Sequence, residues 1–83
     1  MTYYAAVVAE NHKDGHYTFP GITSGEKWSN NKRELARRWR HICRNSLFVY
    51  YPIIIEIRDD RTGEIVERWK QEQEGGRIYK LNN

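Results

Sequence analysis

Cysteine is almost missing from this chain. Cys43 is the only one among 83 residues, so no intrachain disulfide framework can staple the fold, a pattern that suits a reducing cytosol. Proline appears only at positions 20 and 52, and no apolar run approaches the ~20 residues of a membrane span. The opening stretch MTYYAAVVAEN has no basic leader followed by a long apolar segment, so a cytoplasmic protein without a membrane anchor is expected. Hydrophobic content is 39%, with three Trp, six Tyr and two Phe. Each aromatic buries roughly 150–250 Å² when interior, enough for one modest core. The expectation is a single domain over residues 1–83, burying roughly 60–65% of its unfolded-chain surface.

Acidic residues are scarce in one place above all. Between positions 32 and 44 there is one acid, Glu34, against six Lys and Arg, whereas the rest of the chain carries eight bases and ten acids. The formal net charge of +3 therefore comes from this stretch alone. Read as a helix over residues 31–47, at ~100° per residue, it sorts into two neighbouring faces. Leu35, Ala36, Trp39, Ile42, Cys43 and Leu47 form an apolar stripe. Arg33, Arg37, Arg40 and Arg44 form a basic ridge beside it, flanked by Lys32, Arg38 and His41. Asn31 is the expected N-cap, with Glu34 three residues on, and the helix should fray near Asn45 and Ser46.

The remaining segments read as strands and turns. Residues 2–10 are apolar on both alternating faces, which predicts a central strand. Asp14-Gly15 supplies a tight reversal, residues 16–19 return, and Pro20-Gly21 stops them. Residues 22–30 lack a period and read as a loop, with Trp28 tucked under the helix start. Residues 49–59 form the second strong strand, Asp60-Arg61-Thr62-Gly63 a type I turn closed by a left-handed glycine, and residues 64–70 the return strand. In that return strand Ile65 and Trp69 compete with Val66 for the inward face. Residues 71–76 are polar and expected to be mobile, and residues 77–81 either add a short edge strand or lie free.

The order is ββαββ. It predicts an α+β domain with a mostly antiparallel four-stranded sheet, order 2-1-3-4, and the basic amphipathic helix packed on one face. Tyr4, Ala6, Val8 and Ile54 would line the second face, which one helix cannot also cover. Either a partner, including a second copy in a homodimer, or the C-terminal segment is expected over it.

Little in the sequence points to catalysis. Cys43 falls on the apolar stripe, where a small core residue is the plain reading. His41 and Cys43 diverge by ~200° on a helix and cannot share a metal. His12 and His16 flank the first turn without a third ligand, and Asp59-Asp60 begin a turn that favours aspartate. Gly75-Gly76 has no following helix and no Lys-Ser/Thr, so it is not a phosphate loop. A protein that is not an enzyme, with no cofactor and no metal, is expected.

The arginine ridge carries the functional reading. Its four guanidinium groups would span about 16 Å at 1.5 Å rise per residue. Arginine suits phosphate because its planar fork donates two hydrogen bonds at once and is weakly hydrated. The competing reading is a solvated face balanced by Asp59, Asp60, Glu64, Glu67, Glu72 and Glu74. Two kinds of partner fit a binding ridge: an acidic protein surface, in a regulatory or inhibitory role, or nucleic acid held by nonspecific arginine–phosphate contacts. For a single-stranded target Tyr17, Trp28 and Tyr50 are the available stacking residues.

Tyr4-Ala5-Ala6-Val7-Val8, Asp14-Gly15-His16-Tyr17 and Phe19-Pro20-Gly21, followed by an amphipathic helix, resemble the N-terminal domain of HicB-type antitoxins over residues 3–46. The resemblance implies an intracellular binding protein that blocks a partner. The chain departs from that pattern in lacking a glycine- and cysteine-rich loop after Phe-Pro, in its basic helix and in having no separate DNA-binding segment. In size and layout it is also similar to small phage proteins that dock on host machinery and inhibit it.

Overall fold

The two apolar runs lie side by side. A computed structural model describes residues 1–12, 16–17 and 24–82, in which β1 (Tyr3–Ala9) pairs antiparallel with β3 (Ile53–Asp59) along its full length. The elements run β1, α1 (Ser24–Lys27), β2 (Trp28–Ser29), α2 (Lys32–Arg44), β3, β4 (Ile65–Gln71) and β5 (Ile78–Lys80). The strands form one antiparallel sheet in the order β2-β1-β3-β4-β5. The α+β architecture, the antiparallel sheet and the helix on one face therefore agree with the expected design, but the sheet has five strands rather than four.

The outer strands account for the difference. Residues 16–19 were expected to form the whole second strand. Among the described residues, only a single bridge joins His16 to Val8, with the Tyr17 amide donating to the Val7 carbonyl at 2.9 Å. Residues 18–20, like the Asp14-Gly15 turn, lie outside the described residues. The other end of the β1 edge is taken by Trp28–Ser29, which pairs with Tyr4 and Tyr3. Residues 24–29, expected as loop, are thus a turn of helix and a two-residue strand, set by pairing with β1 rather than by any period of their own. Trp28 is not under the start of α2. It pairs with Tyr4, their rings 6.2 Å apart on the opposite sheet face, and its Nε1–H donates to Asp60 Oδ1 at 2.8 Å.

α2 starts and stops as its local chemistry dictates. Asn31 Oδ1 accepts the Glu34 amide at 3.1 Å, satisfying one of the four orphan donors of a helix N-terminus. At the other end Asn45 Nδ2 and Ser46 Oγ donate back to the carbonyls of His41 and Ile42. Because the helix ends at Arg44, Leu47 never joins the apolar stripe and is 76% exposed. Phe48 is the next buried side chain, packed with Tyr17 and Tyr51. The expected strand from residue 49 also starts late, at Ile53, leaving Val49 and Tyr50 exposed.

The core fills the space between α2 and the near sheet face. Leu35, Trp39 and Cys43 meet Ile53, Ile55 and Ile57, with Ala5 and Val7 of β1 beside them. Each fully buried aliphatic contributes roughly 1.5–3 kcal/mol. Trp39 also donates its indole N–H to the Glu26 carbonyl, tying α1 to α2. A register shift between Ile57 and Arg58 settles the inward face of β4. Glu67, Trp69 and Gln71 share the helix side with Ile57, Ile55 and Ile53, while Val66 is left outward at the irregularity. The turn after β3 forms as expected: Gly63 has φ 76° and donates its amide to the Asp59 carbonyl at 2.8 Å.

The C-terminal segment does not fold over the far sheet face, as one alternative required. It extends the sheet instead, β5 pairing with β4. The far face is covered largely by its own long side chains. Glu56 pairs with Arg58 at 2.9 Å, and Lys70 pairs with Glu10 at 3.0 Å and Glu72 at 3.6 Å, while Tyr79 donates to Glu72. Ile54, in the middle of this face, is 4% exposed.

Candidate functional site

The ridge residues part company at the helix surface. Arg38 turns toward α1, donating to the Glu26 carbonyl at 2.9 Å and lying 3.6 Å from Glu34. Its charge is spent within the molecule. Lys32 sits 4.0 Å from Glu67 at the N-terminal end. Arg33, Arg37 and Arg44 are exposed and make no ion pair among the described residues. Of the six acids that could have balanced the ridge, only Glu67 reaches a flanking base of α2. Asp59 caps its own turn by accepting the Arg61 amide, Asp60 accepts Trp28, and Glu72 serves Lys70 and Tyr79.

Arg40 is held differently. Its Cζ lies 4.0 Å from the centre of the Trp69 ring, and its Nε donates to the Ala36 carbonyl at 3.3 Å. Trp69 in turn donates its indole N–H to Glu67 Oε1 at 2.6 Å. The guanidinium therefore rests on an indole fixed by a buried carboxylate, in reach of a cation–π attraction of about 0.5–2 kcal/mol. Glu67 is 8% exposed, and Lys32 and Lys80 stand 4.0 and 3.9 Å away to balance it.

These side chains line a groove between α2 and the β4–β5 edge. Toward the C-terminal end of the helix it opens into a hollow of about 830 Å³ walled by Arg37, His41 and Arg44 on one side and Arg77 and Ile78 on the other. Toward the N-terminal end it continues as a smaller hollow of about 440 Å³ over Trp69, between Arg33 and Lys80. Arg40 lines both. Among the described residues the larger hollow has no carboxylate in its lining. Gly75, with φ 67°, lets the chain reverse after β4, and Gln71 Nε2 holds the turn by donating to the Gly76 carbonyl at 3.0 Å. That turn delivers Arg77 opposite Arg44.

Of the expected site residues, Arg33, Arg37, Arg40, Arg44 and His41 converge on this groove with Lys32 at its end, whereas Arg38 belongs to the opposite flank. The expected stacking residues do not join them. Tyr17 packs against Phe48 and bonds Tyr50 backbone atoms through its hydroxyl. Tyr50 stacks on His12 with ring centres 3.6 Å apart, and Trp28 lies on the far sheet face. The groove's aromatic is Trp69 instead. Sequence reading missed it, and missed Arg77 and Lys80, since only the β4–β5 pairing brings them beside the helix. The alternation Glu67, Trp69, Gln71 was the available signal.

Burial pushes the Cys43 thiol up to about 12, so it stays protonated and unreactive beneath the helix. Among the described residues no group of three or more His, Cys, Asp or Glu side chains is placed to hold a metal ion, and no helix is long and apolar enough to cross a membrane. No protein-family model, curated protein or solved structure matches this chain.

Proposed function

We propose that this chain is a non-enzymatic binding module whose basic groove holds the phosphate backbone of a nucleic acid. The observation that carries the reading is the row of Arg33, Arg37 and Arg44, exposed and without ion pairs among the described residues, the last two faced by Arg77 across a hollow whose described lining holds no carboxylate. Like charges spaced about 5–6 Å apart on a helix repel and destabilise it slightly, so leaving them uncompensated costs stability that an external polyanion would return. With Arg40 they offer about five phosphate contacts, which corresponds to a slope of log K against log salt of about −3.5 on a single strand. The arginines are assigned to phosphates, which carry no sequence information, so the binding proposed is nonspecific.

A second reading, an acidic protein surface, draws on Leu47 and Val49. These aliphatic side chains are 76% and 80% exposed just beyond the helix and would add apolar contact beside the ridge. Electrophoretic mobility shift on random-sequence DNA, at low and moderate salt, separates the two. The nucleic-acid reading expects a salt-sensitive shift at micromolar protein that disappears in Arg37→Glu with Arg40→Glu. Absence of any shift transfers the ridge to a protein partner, in a regulatory or inhibitory role, to be captured from nuclease-treated lysate.

A further inference from the structure

We infer that the groove takes a single strand rather than a duplex, with Trp69 as its stacking platform; this rests on the nucleic-acid reading above. The groove has two cationic walls and a floor of Trp69, whose indole edge meets the Glu67 carboxylate that Lys32 and Lys80 balance. The helix wall carries Arg33, Arg37 and Arg44, and the β5 side carries Arg77 and Lys80. A duplex presents its phosphates on two convex rims, about 12 Å apart across the major groove, with its bases stacked inside. It could lie against one wall but would leave the other wall and the floor unused. A single strand has one phosphate row and unstacked bases, and sites for it combine a charged channel with exposed aromatic faces.

The floor is built for that exchange. In the free protein the Arg40 guanidinium covers the Trp69 ring at 4.0 Å, while Glu67 fixes the indole edge at 2.6 Å. A phosphate entering the hollow draws Arg40 toward itself and bares the indole face, on which a base then stacks. Trp69 does not move, because its N–H stays anchored. Arg40 therefore acts as a movable lid whose displacement is driven by the same anion it binds.

Fluorescence anisotropy tests this with labelled oligothymidylate and oligouridylate about 15 nucleotides long and a matched duplex. The single strands are expected to bind at least about tenfold tighter than the duplex and to quench indole emission, and the quench is expected to vanish in Trp69→Phe. Arg77→Ala with Lys80→Ala should weaken single-strand binding about fivefold and leave duplex binding unchanged. Trp69→Leu should weaken single-strand binding about tenfold, with Trp69→Phe retaining most of it. Equal or tighter duplex binding, or no loss in the Arg77/Lys80 variant, overturns the single-strand inference while leaving phosphate binding in place. Failure of both strand forms to bind at micromolar protein removes the proposed function as well. A preference for oligouridylate or for oligothymidylate only identifies which of the two strands the groove favours, and either supports the inference.

Discussion

The far sheet face and the helix–β5 groove both carry dense charge, and they treat it in opposite ways. On the far face Arg58 is paired with Glu56, and Lys70 with Glu10 and Glu72. These side chains also shield Ile54, their stems covering apolar surface while their heads meet each other. In the groove, Lys32 and Lys80 meet Glu67, but Arg33, Arg37, Arg44 and Arg77 have no such partner among the described residues, and Arg40 has an aromatic ring and the Ala36 carbonyl in place of an acid. Charge on the first surface is internal structure. Charge on the second is directed outward, and that contrast is the ground for assigning function to one and not the other.

The largest test of the contrast is charge reversal. Arg37→Glu with Arg44→Glu should lower nucleic-acid affinity at least about a hundredfold, measured by anisotropy at fixed salt. Its melting temperature should equal or slightly exceed the wild-type value, because like-charge repulsion along α2 is relieved. Next is the groove floor: Trp69→Ala removes a half-buried indole and should cost about 2 kcal/mol in urea unfolding.

The seam beneath α2 gives a pH test. With its folded-state thiol raised to about 12 from 9.0, Cys43 favours the folded form below pH 9, and this advantage is lost as pH rises from 9 toward 12 because only the unfolded chain ionises. Between pH 9 and 10 the loss should be roughly 1 kcal/mol, absent from Cys43→Ala, as read from urea midpoints. The smallest effect belongs to the far face. Glu56→Gln should change stability by less than about 1 kcal/mol and leave binding untouched.

Much of this contrast was legible in the residues. Periodicity alone separated Leu35, Trp39 and Cys43 from the ridge, and the Asn31 cap and the Gly63 turn follow from local chemistry. Other parts depend on pairing across long sequence separations. Trp28–Ser29 is a strand only because Tyr3 and Tyr4 lie beside it. The register shift at Ile57/Arg58 turns Glu67 and Trp69 inward, against the apparent claim of Val66. Arg77 reaches the helix through β5, and Arg38 leaves the ridge because the Glu26 carbonyl captures it. None of these can be read from a helical wheel, since each is decided by where a distant segment comes to rest.

The most direct measurement is two-dimensional NMR of the ¹⁵N-labelled chain titrated with a short oligothymidylate. Its three tryptophans report from three places: Trp69 in the groove, Trp28 on the far face and Trp39 in the core. The account predicts that the Trp69 indole signal and the backbone amides of residues 33–44 and 77–80 move in a salt-sensitive way, while the Trp28 indole stays still. Movement centred on Trp28, Tyr4 and Ile54 instead, or none anywhere, would contradict it.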